Sequence, residues 1–125
     1  MLVADVRVPP GWPSSVRAPG SPDWQQSALT WLLDQCPADY RSHRALTSHP
    51  VALAWLAVQH VVAQGRANTA ARAAARAELR DDLAAHELEA VIAALEHEHA
   101  RLLAIHRAVT LVQDALRGLD YVRRL

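Results

Sequence analysis

The feature that most restricts the fold is a seven-residue ladder in the C-terminal third of the chain. Leu88, Leu95, Leu102, Val109 and Leu116 recur at intervals of seven. Val91, Ile105 and Val112 fall between them, with Glu98 as the interruption. An apolar repeat of this period is a helix seam, and it needs a second helix to cover it. The ladder commits the chain to an all-α architecture with one helix over about 83–117. Gly118 follows where the helix should stop, because glycine enters the left-handed region without a Cβ penalty. Asp81 or Asp82 is the expected cap at its start.

The covering helix is the segment before it, over about 50–80. Ser48 is its expected cap, and Pro50 suits a first turn, where a missing N–H costs nothing. Val51, Ala54, Val58, Val61 and Val62 form the expected inner face. Gly65, Asn68 and Thr69 are weak helix formers, so a kink or break is expected there. Between Arg66 and Ala77 alanine is the only apolar residue type, so that half needs a close neighbour. A short turn between two long helices makes them an antiparallel hairpin. Charge agrees: Arg66, Arg72, Arg76 and Arg80 would lie beside Asp81, Asp82, Glu87, Glu89, Glu96 and Glu98, and each sign suits its own helix dipole.

A shorter helix precedes the hairpin, over about 22–36 in "SPDWQQSALTWLLDQC". Ser21 is read as its cap and Pro22 as its first helical residue. Trp24, Ala28, Trp31, Leu32 and Gln35 share one face, so both tryptophans should point inward. Residues 1–20 form a Pro-rich extended arm, with Trp12 and Val16 as apolar anchors that pin it to the body. Residues 21–125 make a single helical domain. Its tail, "GLDYVRRL", offers Leu119, Tyr121, Val122 and Leu125 for docking across the bundle.

One short helix cannot cover a hairpin of this length, and large apolar flanks mark partner surfaces. The expectation is a homodimer, two hairpins forming a four-helix bundle. Formal net charge is zero, which argues against a polyanion binder. The longest uncharged run, residues 50–65, falls short of the ~20 apolar residues of a membrane span. The start of the chain lacks the apolar run of a signal peptide. Cys36 is the single cysteine, so no internal disulfide forms, and the cytoplasm is the expected location.

Candidate chemistry centres on "ALEHEHARLLAIHRAV", residues 94–109. Two ligands on one helix share a metal only at i,i+3 or i,i+4 spacing, which Glu96 and His99 have. His99 and His106 are seven apart, ~10.5 Å along the axis, too far to share an ion. Glu-x-x-His is half of a bundle metal site, and the other half needs carboxylates from further helices. The middle of the earlier helix offers His60 and no carboxylate. A metal or small-ligand site built from His60, Glu96, His99 and His106 is therefore an alternative that would need two copies of the chain. With both buried and neutral, His60 and His106 would make the bundle sensitive to acid.

Arg72, Arg76 and Arg80 form a row that could grip phosphates. With the acidic neighbour helix at hand, pairing within the protein is the preferred reading and nucleic acid the lesser one. Cys36 reads as a buried structural thiol. The chain carries no P-loop, dinucleotide fingerprint, Gly-x-Ser-x-Gly elbow or His-Glu-x-x-His motif, so neither an enzyme nor a cofactor is expected.

The strings "PPGWPSSVRAPGSPDW", "WLLDQCPADYR", "HPVALAWLA", "ARAELR" and "ALRGLDYVRRL" resemble a group of small uncharacterised all-helical proteins of actinobacteria. The likeness spans nearly the whole chain. It implies a bacterial cytoplasmic setting and transfers no functional residue. The residues themselves favour a non-enzymatic helical module for protein–protein interaction or regulation, homodimeric and with a further protein partner still to be identified.

Overall fold

The computed structural model describes residues 8–119. It is all-helical and dominated by a long antiparallel hairpin. Helix α1 spans Trp24–Asp34, a 3-10 turn spans Ala38–Ser42, and the one-turn α2 spans Arg44–Thr47. The hairpin is α3, Pro50–Leu79, against α4, Ala85–Leu116. At 1.5 Å per residue its arms are about 45 and 48 Å long. No strand occurs among the described residues, and none of their helices is long and apolar enough to cross a membrane.

The ladder does face α3. Leu88, Leu102, Val109 and Val112 are buried, and Leu95, Ile105 and Leu116 pack against the same interior. Ile92 and Ala108 are buried as well, so the seam is broader than a strict heptad. Helix α4 ends at Gly118, whose φ is 78°. The Gly118 N–H donates to Ala115 O at 3.0 Å and the Leu119 N–H to Asp114 O at 2.9 Å, the paired bonds of a Schellman terminus.

The apolar interior is divided. The larger cluster joins Val16, Ala28, Leu32, Leu53, Ala57, Val61, Leu102, Val109 and Val112. It lies where α1 and the arm cover the open end of the hairpin. The smaller cluster, Ala75, Leu88 and Ile92, lies near the tip and is built from two helices alone. Trp24 and Trp31 are half-buried and pack on the larger cluster, whereas the fully covered face of α1 is Ala28, Leu32 and Leu33.

Residues 8–20 are docked. Pro9 and Val16 are buried, and the Trp12 indole donates to Val16 O at 2.8 Å. Turns follow one another: the Trp12 N–H donates to Pro9 O and the Val16 N–H to Pro13 O, each at 3.1 Å. Gly11 has φ +93°, a conformation that favours glycine, where the arm crosses α4 beside Arg107. Residues 1–7, and the tail from residue 120 with its expected docking, lie outside the described residues.

Several expected boundaries shift. Helix α1 begins at Trp24 behind Asp23, which is left-handed at φ 59°. Ser21 is not the cap, because its hydroxyl turns back to Ala18 O at 2.5 Å. Helix α3 starts behind His49, and Ser48 instead closes α2. Helix α4 starts behind Ala84, whose N–H donates to Glu87 Oε1 at 2.9 Å. Asp81 and Asp82 stay in the turn. Helix α3 runs through Gly65, Asn68 and Thr69 without a break. The Asn68 side chain there reaches across to α4, so tertiary contact overrides weak propensity.

Candidate functional site

The register of the hairpin is fixed at two levels. Asn68, 7% exposed, donates to Leu95 O at 3.1 Å and accepts from Arg72 Nε at 3.0 Å. Nearer the tip, the Arg76 guanidinium grips both carboxylate oxygens of Glu89. That contact holds the Glu89 carboxyl below its ordinary value and raises Arg76. The expected charge matching between the arms is thus realised in one bidentate pair. Arg80 stands at the C-cap of α3 and is exposed. The row of Arg72, Arg76 and Arg80 is not a free phosphate comb, since two of its members are already held within the chain.

Within one chain the histidine cluster does not assemble into a metal centre. Among the described residues no three His, Cys, Asp or Glu side chains converge on one point. The expected set of His60, Glu96 and His99 is not brought together within one chain. Glu96 is exposed, and its field falls on Arg76. Glu98 turns to Arg101, whose Nε donates to it at 2.8 Å, and this lowers the Glu98 carboxyl. His60 is half-buried and His106 exposed, so the expected pair of buried neutral histidines is absent. The reason is angular: the two residues are about level along the axis, but His106 lines the groove between α3 and α4 and His60 does not.

Two of the histidines line one groove elsewhere. His99 and His106 line a groove of about 540 Å³ between α3 and α4. Its lining is largely apolar, from Val61, Val62, Leu102 and Leu103, and its α3 wall is made of small residues, Gly65, Ala70 and Ala73. Arg66 joins the histidines on the lining, and no carboxylate does. Such a volume and lining suit a ligand or a partner's side chains. Sequence reading missed this groove. The available signal was the spacing of His99, Leu103 and His106, an outward stripe beside the ladder.

A second finding concerns α3. Val51 is 39% exposed, Trp55 48% and, on α4, Leu103 60%. At 3.6 residues per turn, Val51, Trp55, Val62, Arg66, Thr69 and Ala73 fall within about 60° of one another. They make a stripe on the side of α3 turned away from the interior. Val51 and the half-buried Val62, expected on the inner face, belong to this outer one; Leu53 and Ala57 take the inner places. His49, Ala52, Leu56 and Arg117 complete an apolar depression of about 650 Å³ around Val51 and Trp55.

Cys36 packs on the larger cluster. Burial pushes its thiol up to about 11, against a smaller opposing pull from Arg41. Burial outweighs that pull, so it reads as a structural rather than a nucleophilic thiol. Comparison with protein families, with curated proteins and with solved structures gives no match.

Proposed function

We propose that the chain is a non-enzymatic helical interaction module of a bacterial cytoplasm, and that it pairs with a second copy of itself through the outer face of its hairpin. One observation carries this reading: Val51 and Trp55 on α3 and Leu103 on α4 are large apolar side chains that stand exposed on the outer side of the hairpin. Water contact at such side chains costs roughly 25 cal/mol per Å² of apolar surface, and a partner recovers it. Two hairpins meeting on this face would complete a four-helix bundle. The single cysteine, unpaired in the structure, supports the cytoplasmic part of the proposal.

Light scattering coupled to size-exclusion chromatography tests the proposal. The expected result is a dimer at micromolar concentration. Trp55→Glu combined with Leu103→Glu should give a monomer with unchanged helical circular dichroism. A wild-type monomer at every concentration would remove the reading. Nucleic acid is the weaker alternative, because Arg72 and Arg76 are occupied by Asn68 and Glu89.

A further inference from the structure

We infer that the groove between α3 and α4 is a binding site for an alkyl chain carrying one negative charge, a fatty-acid-type carboxylate. Three observations converge on that chemistry. The lining is largely aliphatic, with Val61 and Leu102 buried beneath it, Val62 half-buried and Leu103 at its exposed edge. Every ionisable side chain on the lining, Arg66, His99 and His106, is cationic or able to become so, and none is acidic. The groove is also open at its wall: a Cβ built on Gly65 meets nothing within 4 Å.

Register assigns the parts. The Asn68–Leu95 and Arg76–Glu89 links set Arg66 level with His99, and Val62 level with Leu103. A carboxylate fits between Arg66 and His99, where a guanidinium offers charge-assisted hydrogen bonds. The alkyl chain then lies along the aliphatic lining. Glu96, one turn of α4 beyond His99, is outside the lining and does not oppose the anion there. Charge also disfavours a second copy in the groove itself, since two facing grooves would oppose Arg66 and histidines to their own kind. The groove is complete within one chain, but it shares Leu103 and Val62 with the face proposed for self-association, so decanoate and a second copy would compete there.

The test titrates the full chain with sodium decanoate, decanol and decyltrimethylammonium, each below its micelle-forming range. Side-chain NMR of His99, Leu103 and His106 reads occupancy, and light scattering is recorded on the same samples. Decanoate is expected to give saturable shifts at these three residues, and the ammonium compound to bind on the order of tenfold more weakly or not at all. Arg66→Ala should weaken decanoate about tenfold and leave decanol unchanged. Gly65→Leu places side-chain atoms into open space, keeps the helix, and should abolish binding of both. Equal binding of the ammonium compound, full decanoate affinity in Arg66→Ala, or no saturable shift would each overturn the inference. Groove signals that move with protein concentration and ignore decanoate would assign the face to a second copy and also overturn it. A chain that is monomeric before decanoate is added and still binds it would refute self-association and uphold the site.

Discussion

Asn68 on α3 donates to the backbone carbonyl of Leu95 on α4 at the level where the larger apolar cluster gives way to the smaller. A buried polar side chain in an apolar seam is stable only when its groups are satisfied, and Arg72 satisfies the other end of this amide. Slipping the helices would take the Asn68 amide off Leu95 O while leaving its bond from Arg72, on the same helix, intact, so the Leu95 contact is what favours one register. Asn68→Ala should lose about 1–2 kcal/mol in chemical denaturation. Asn68→Leu should recover most of that and broaden the NMR signals at the tip, as register becomes less strict. Sharp signals in Asn68→Leu would show that register is set elsewhere.

Stability should be graded along the rod. Leu53 has no solvent exposure and sits beneath α1, whereas Ile92 is buried between two helices alone. Leu53→Ala should cost about 3–5 kcal/mol, and Ile92→Ala about 2 kcal/mol or less. Hydrogen exchange should reach amides of residues 70–93 well before those of residues 53–61 and 102–112. Uniform protection along the hairpin would contradict this.

Acid sensitivity should come from Glu89 and Glu98 rather than from buried histidine. Both carboxyls are held below the ordinary 4.5 by hydrogen bonds from Arg76 and Arg101. A depressed carboxyl contributes stability above its unfolded value and loses it as pH falls through the folded one. The window therefore lies below pH 4.5, and exposure to solvent keeps the effect small. Thermal melts of wild type and Glu89→Gln should differ slightly at pH 7 and converge as pH falls below the ordinary carboxyl value, with high salt reducing the gap. A large drop in melting temperature between pH 7.5 and 5.5 would point to a different titrating group.

Cys36 should alkylate slowly. With its thiol pushed up to about 11 from 9.0, the thiolate fraction at pH 8 is about 100-fold below that of an ordinary cysteine. Iodoacetamide labelling followed by mass spectrometry should show that lag in the folded chain and its loss in denaturant. The neutral thiol favours the folded state below pH 9, and this contribution fades as pH rises toward 11.

The parts of the fold legible in sequence were those dictated by local rules. Leu88, Leu102 and Val109 announced their seam by spacing, Pro50 marked a helix start, and Gly118 marked an end. The face of α3 was harder to read. Between Val51 and Val62 the segment is apolar nearly all round, so periodicity cannot choose between Leu53 and Val51 for the interior. The start of α1 escaped because Ser21 had a competing backbone acceptor in Ala18 O. The groove depends on how closely two helices approach across Gly65, Ala70 and Ala73, a distance that no residue pattern states. Single histidines were visible, but their grouping with Arg66 needed the hairpin register.

The arm crosses α4 beside Arg107 and Leu111, at the opposite end of the rod from the turn at Asp81–Leu83. The chain is thus fastened shut where its described ends lie, and merely folded over at the other. Cutting the peptide inside that turn should yield two fragments that remain mated without a covalent link, and foreign sequence spliced there should hang clear of the latch.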